Sequence, residues 1–98
     1  MPRSSGSVAV AQGPNFTSIF SAAAAGGSDG NPLLGCVLTN RGSADLEIRM
    51  PLYDLPNQVR LLRPDEQLLL RGIVRPILAI EARGVGAAST IGIDEVVF

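Results

Sequence analysis

Glycine and proline interrupt this chain so often that only short segments of regular structure fit between them. The 98 residues include eleven Gly and seven Pro. Proline removes a backbone donor and glycine weakens helices, so long helices are disfavoured. Short apolar runs lie between these breaks, and turn signals recur roughly every 8 to 15 residues. This spacing predicts an all-β domain, either a small antiparallel β-sandwich or a jelly-roll-like barrel.

The clearest single strand is ADLEIRM, at residues 44–50. Leu46, Ile48 and Met50 alternate with charged residues, which is typical of a half-buried antiparallel strand. The Asn-Arg-Gly-Ser sequence at 40–43 predicts a turn before it, and Pro51 ends it because proline cannot donate to a ladder. Further strands are predicted at LGCVLTN, QVRLLR, ILAIEAR and TIGIDEVVF.

The run QLLLRGIV, at residues 67–74, does not alternate. It follows Arg-Pro-Asp-Glu at 63–66, which predicts a type I turn because proline is favoured at the second position. Leu68 and Leu70 would face one way and Leu69 the other. A strand that is apolar on both faces is usually covered on both faces. Here the second cover is either another subunit, or a loop or the N-terminal segment of the same chain.

The first third of the chain is richer in Ser, Gly and Ala than the rest. It divides the sequence into an extended N-terminal arm and loop at 1–33 and a sandwich domain at 34–98, with a long flexible loop at 21–32. An arm would gain contact area by ordering on a partner, and deletion of residues 1–20 would abolish assembly but leave the domain folded. Alternatively, SVAVAQ and NFTSIFSA are the first two strands of the sandwich.

Most residues that support catalysis are missing. The chain contains no His and a single cysteine, Cys36, whose apolar surroundings in LLGCVL predict a buried thiol. Without His, neither a Ser-His-Asp arrangement nor a Cys/His zinc cluster is possible within the chain. The adjacent carboxylates at 65–66 and 94–95 would point to opposite faces of a strand. The chain is therefore expected not to be an enzyme and to hold no cofactor or metal.

The charge pattern points to protein partners. A net charge of −1 gives no reason to bind nucleic acid, and no apolar run reaches the ~18 residues of a membrane span. All eight cations are Arg, which suits protein interfaces. Tyr53, in PLYDLP, either anchors an interface or closes one end of the sandwich. The residues predicted to meet a partner are Phe16, Ile19, Phe20, Tyr53, Leu69 and Arg71.

The order of these segments resembles that of small β-sandwich structural proteins of tailed bacteriophages. LTNRGS, RLLRPDEQLLL and ILAIEARGVGA follow the order of the patterns N-x-G-S, L-x-P-G-E-x-L-x-L and I-x-A-x-A-x-x-G-x-A in those proteins. The resemblance covers Leu38 to Glu95, and Asp65 stands where those proteins have glycine. It implies a role in the virion as a capsid decoration (cement) protein, a head fibre or a head–tail accessory protein.

A decoration protein would bind the major capsid protein or a neighbouring virion protein on the capsid surface. The resemblance also implies a homo-oligomer, with a trimer favoured because capsids offer three-fold positions. Two other classes remain open. One is a carbohydrate- or receptor-binding sandwich, although one Tyr and three Phe are a poor supply of stacking rings. The other is a subunit of a head–tail, bacterial surface or secretion assembly.

Overall fold

The computed structural model describes residues 6–51, 53, 58–71 and 75–98. These contain eight strands: β1 (Gly6–Val10), β2 (Thr17–Ser21), β3 (Gly35–Asn40), β4 (Asp45–Arg49), β5 (Arg60–Leu62), β6 (Gln67–Leu70), β7 (Ala79–Val85) and β8 (Ser89–Val97). A short 3-10 helix, Ala23–Ala25, follows β2. The predicted loop at 51–57, apart from Pro51 and Tyr53, and the end of the apolar run at 72–74 lie outside the described residues.

The strands form two four-stranded antiparallel sheets that pack together. Sheet A has the order β1-β8-β3-β6, and sheet B has the order β2-β7-β4-β5. The prediction of a small all-β sandwich is confirmed. Each sheet therefore has an inner face, turned to the other sheet, and an outer face.

The core lies between the two inner faces and is built mainly from aliphatic side chains. Leu46, Ile48 and Met50 are buried, as the alternation of β4 predicts. The same period places Ile80 and Ala82 of β7 inside, and the other buried core residues include Leu33, Cys36, Leu38, Leu62, Leu70, Ile77, Ile91 and Ile93. A core of this kind needs a contribution from every strand, because a chain this short has few large side chains.

The N-terminal segment belongs to the sandwich from residue 6 onward. β1 pairs with β8, from Gly6 opposite Ile93 to Val10 opposite Ser89, and β2 pairs with β7. Between them the chain crosses from sheet A to sheet B, where the Gly13 amide donates to the Gly84 carbonyl at 2.9 Å. The prediction of a separate arm is wrong for residues 6–21, because their apolar side chains fill the core. Instead, these residues contain the first two strands of the sandwich, which was the alternative prediction from the sequence.

The segment predicted as a flexible loop, residues 21–32, is held by hydrogen bonds at its base. The Ser21 amide donates to the Asp29 carboxylate at 2.8 Å, and the Asp29 amide donates to the Ser21 carbonyl at 3.0 Å. Gly27 packs so closely that a Cβ atom there would lie 2.2 Å from the Ser21 carbonyl oxygen. The small residues of this segment thus permit a close approach of backbone to backbone.

Asn40 joins the two sheets from the inside. Its side-chain amide donates to the carbonyls of Ala44 and Leu62, at 2.8 and 2.9 Å. Its side-chain oxygen accepts from the Gly42 amide at 3.0 Å and from the Ser89 hydroxyl at 2.9 Å. Asn40 is fully buried, so these bonds replace the water that it loses. The Asn-x-Gly-Ser motif therefore has a structural explanation in this chain.

The turn between β5 and β6 differs from the predicted type. The Glu66 amide donates to the Arg63 carbonyl at 3.0 Å, which closes the turn. Asp65, at its third position, has φ +67°. A type I turn has negative φ there, whereas a type II turn requires positive φ. The prediction of a type I turn is wrong, and Asp65 adopts the conformation that glycine favours.

Candidate interaction surfaces

The outer face of sheet B pairs its charges within the chain. On neighbouring strands β4 and β7, Glu47 stands opposite Arg83 and Arg49 stands opposite Glu81. The Arg83 guanidinium lies 2.8 Å from the Glu47 carboxylate, and the Arg49 guanidinium lies 2.6 Å from that of Glu81. Opposite charges directly across a sheet stabilise the pairing of the strands. The same face also exposes Leu61 and Val85 beside these ion pairs.

Phe16, predicted to meet a partner, lies on this charged face. The guanidinium groups of Arg49 and Arg83 lie over its ring, 3.9 and 4.5 Å from the ring centroid. Such cation–π contacts hold the ring against the sheet. Phe16 is half-buried, and its ring is engaged by contacts inside the chain. It is placed to fix the crossing between β1 and β2.

Two other residues predicted to meet a partner are in the core. Ile19 and Phe20 are 0% and 1% exposed. Their strand, β2, carries a register shift between Ser18 and Phe20, after which both apolar side chains lie inside. The prediction that Ile19 and Phe20 contact a partner is therefore wrong, because neither side chain has exposed surface left for another molecule.

Leu69 is exposed on the outer face of sheet A. Its side chain is 57% exposed, whereas Leu70 is buried and Leu68 packs against the core. Its partner across the ladder, Val37, is buried although it shares the outer face, because Leu69 and Asp94 flank it on the two neighbouring strands. Among the described residues, neither a loop nor the N-terminal segment covers the outer side of Leu69.

An apolar groove of about 500 Å³ lies between the start of β3 and the end of β8. Leu34 and Val97 are its exposed apolar walls, at 46% and 53% exposure. Arg71, predicted to meet a partner, also lines the groove and forms an ion pair with Glu95. Both charged side chains are well exposed, so their attraction is weak and is easily exchanged for another partner.

Tyr53 is half-buried and packs against the core cluster. The Arg75 guanidinium lies 5.3 Å from its ring centroid and donates to the Tyr53 carbonyl oxygen at 2.6 Å. This position fits the interpretation that the ring closes one end of the sandwich. Tyr53 lies apart from the groove, whose lining includes Arg71 but not the tyrosine.

Cys36 is buried on the inner side of β3. Burial raises the pKa of its thiol from 9.0 to about 11, because a thiolate there would lose its hydration. At neutral pH the group is thus an uncharged thiol. It behaves as a small apolar side chain, as the sequence predicts.

The described residues contain no cluster of three or more His, Cys, Asp or Glu side chains able to hold a metal ion. No helix among them has the length and apolar character needed to cross a bilayer.

Sequence reasoning missed Leu34 and Val97, the apolar walls of the groove. Strict alternation from Ile93 would place Glu95 and Val97 inside the sandwich. Instead β8 has a register shift against β3, and Glu95 has φ +51°, so Val96 packs on the core and Val97 faces outward. The signal for this β-bulge was a carboxylate at a position that alternation assigns to the core.

Comparisons of the chain with protein-family models, with curated proteins and with solved structures give no match. The two outer faces and the sequence motifs are the features of this chain that bear on its function.

Proposed function

We propose that the protein is a non-catalytic structural subunit of a tailed-bacteriophage particle, and specifically a capsid decoration protein. It binds the outside of the capsid lattice and stabilises it through non-covalent contacts with the major capsid protein or a neighbouring virion protein. The groove and the apolar side chains around it form the contact surface. Affinity comes from burial of this surface, without turnover of a substrate.

The observation that carries this proposal is the difference between the two outer faces. Sheet B exposes Leu61 and Val85, but on a face whose charges are paired across β4 and β7. Sheet A exposes Leu34, Leu69 and Val97 together with a groove of about 500 Å³. Apolar side chains grouped on one side of a small domain favour contact with another protein. The order of the sequence motifs supports the virion as its setting.

The aromatic side chains argue against the carbohydrate-binding alternative. Sugar-binding sandwiches usually present a free ring face to the ligand. Here two guanidinium groups lie over the Phe16 ring and Phe20 is buried. Phe98 is 38% exposed, with its ring tilted against that of Phe20 at a centroid distance of 6.3 Å. Tyr53 packs on the core. A subunit of another head–tail or bacterial surface assembly remains the second candidate, because it would use the same apolar face.

The test is co-sedimentation of the purified protein with capsids assembled from the major capsid protein encoded beside its gene. We expect saturable binding to the particle surface and a higher temperature of capsid disruption. The double variant Leu34→Asp/Val97→Asp places two charges in the contact and should weaken binding at least tenfold. Val85→Asp is the matched control, since Val85 is 44% exposed but lies in sheet B.

Absence of binding by the unaltered protein would contradict the proposal. Equal loss in the Val85→Asp control would also contradict it, since the effect would then not depend on the groove. Melting curves of both variants establish that they remain folded. Binding to a tail or surface assembly instead of the capsid would favour the second candidate.

A further inference from the structure

Strand β6 is an edge strand of sheet A and lacks the usual features that prevent an edge from pairing with another chain. Within the described residues it pairs with β3 alone, and that pairing runs from Thr39 opposite Gln67 to Cys36 opposite Leu70 without a register shift. An edge strand presents unpaired N–H and C=O groups to any extended chain, and proteins usually block it with a charge, a proline or a bulge. The four residues of β6, Gln-Leu-Leu-Leu, contain neither charge nor proline.

The other edges of the two sheets are less open. β2 carries a register shift, and β5 is only three residues long. β1 leads directly into the crossing at residues 11–13, which is bonded to β7 through Gly84. By contrast, the side formed by β5 and β6 exposes Val59, Leu61 and Leu69. Among the sandwich edges, exposed apolar side chains are thus concentrated on the side where β6 has backbone groups free to pair.

The free backbone groups of β6 belong to Gln67 and Leu69. The backbone N–H of Asn40 donates to the Glu66 carbonyl at 3.1 Å. This bond lies one residue beyond the pair of Thr39 and Gln67. Residues that bond to the neighbouring strand alternate with residues that point away from it. Leu68 and Leu70 therefore bond toward β3, while Gln67 and Leu69 turn their N–H and C=O groups to the open edge.

We propose that two copies of this chain associate by antiparallel pairing of their β6 strands, with Leu69 on the two-fold axis. In this register Leu69 stands opposite its own copy on the outer face, and Leu68 stands opposite Leu70 on the inner face. Gln67 stands opposite Arg71. Both cores remain on the same side of the joined sheet, because residues directly opposite in an antiparallel pair share a face.

The charges at the two ends of β6 favour this pairing of like strands. The turn before it carries Asp65 and Glu66 with Arg63, which leaves a net charge of −1, and Arg71 follows it directly. Antiparallel pairing places Arg71 of each copy beside the acidic turn of the other. Its exposed ion pair with Glu95 is weak enough to be exchanged. This self-complementarity identifies a second copy as the occupant of the edge.

The first test measures the mass of the protein by sedimentation equilibrium at concentrations up to about 1 mM, the range of weak contacts. We expect a monomer–dimer equilibrium. Leu69→Lys places two like charges at the axis and should raise the dissociation constant at least tenfold. Val85→Lys, a matched substitution of an exposed residue in sheet B, should leave it unchanged.

The second test fixes the register by cross-linking. Leu69→Cys should form an intermolecular disulfide under mild oxidation, because opposite residues in an antiparallel pair are about 5.5 Å apart between Cα atoms, within the reach of a disulfide. Val85→Cys is the control for random collision. The native Cys36 is buried with a raised pKa, so it adds little background.

A strict monomer at the highest concentration, a closed trimer, or a dimer that tolerates Leu69→Lys would overturn this inference. Equal cross-linking of the two cysteine variants would overturn it as well. A trimer would leave the proposed function intact, since a three-fold assembly requires a different, head-to-tail contact. Conversely, a dimer that does not bind capsids would contradict the function and retain the inference.

Discussion

At the scale of single residues, the backbone angle of one residue, Asp65, sets the type of the turn before β6. Pro64 sets φ for the second position of the turn, and the third position has φ +67° at Asp65. Asp tolerates this conformation better than most residues, but glycine adopts it without a steric cost. Asp65 therefore meets a backbone requirement that glycine would meet at lower cost.

Substitution of Asp65 should change the stability in opposite directions, depending on the residue introduced. We expect Asp65→Gly to raise the free energy of unfolding by about 0.5 kcal/mol, because relief of the left-handed strain outweighs the added freedom of the unfolded chain. Asp65→Ala should lower it by about 1 kcal/mol. Urea denaturation at low protein concentration measures both, and equal effects of the two variants would refute this account of the turn.

The Cys36 thiol should make the stability depend on pH in alkaline solution. Burial raises its pKa from 9.0 to about 11, so the folded state keeps the proton at a pH where the unfolded chain releases it. The contribution of the protonated thiol to the free energy of unfolding is fully present below about pH 9. It falls by about 2 kcal/mol as the pH rises to 11. Denaturation curves from pH 8 to 11 measure the loss. A Cys36→Ala variant with the same alkaline loss would exclude the thiol as its cause.

At the scale of elements, one side chain holds three segments of the outer face of sheet B together. Arg83, on β7, pairs with Glu47 of β4, stacks on Phe16 and donates to the Pro14 carbonyl at 2.8 Å. It is only about 29% exposed, so its contacts are partly shielded from water. The short crossing between β1 and β2 is thereby fixed to the middle of the sheet.

Removal of this side chain should cost more than removal of an exposed Arg. We expect Arg83→Ala to lower the free energy of unfolding by about 1–2 kcal/mol, because charge-assisted hydrogen bonds and a cation–π contact are lost together. Arg41→Ala is the comparison, since Arg41 forms an ion pair with Asp94 that is much more exposed and should cost less than about 1 kcal/mol. If thermal unfolding shows the same loss of unfolding free energy for Arg83→Ala and Arg41→Ala, the crossing does not depend on Arg83.

At the scale of the whole molecule, the N-terminal third is inseparable from the core. Val10, Ile19 and Phe20 are buried, and the strands that carry them form one edge of each sheet. This overturns the expectation that residues 1–20 are dispensable for folding. Their loss would remove large side chains from a core that has few of them and would leave β7 and β8 unpaired on one side.

Deletion of residues 1–20 should therefore yield an unfolded or aggregating chain. Single Phe20→Ala or Ile19→Ala substitutions should lower the free energy of unfolding by about 2–5 kcal/mol, as large-to-small changes in a close-packed core do. Circular dichroism and dispersion of amide resonances measure the outcome. A truncated chain with cooperative unfolding and native-like spectra would show that the remaining strands suffice.

Much of the fold followed from the sequence, because turn residues and period-2 alternation act over a few neighbouring positions. The inward side chains of β4 and β7 were predictable in this way, as was the buried thiol. Alternation alone does not include the bulge in β8 that turns Val97 outward. Phe20 was assigned to an interface because the composition of the N-terminal segment favoured an arm. Of the predicted partner residues, Leu69 is exposed on the outer face of sheet A, and Arg71 is exposed at the groove.

The sequence by itself determined that this chain forms short antiparallel strands around an aliphatic core, because those preferences are local. Only the tertiary structure decided which strands lie at the edges, which outer face pairs its charges, and where apolar surface remains uncovered. These properties depend on contacts between residues far apart in the chain, such as Val37 with Leu69 and Glu47 with Arg83. A surface for partners is what remains after all such contacts are made, so it emerges only when the fold is complete.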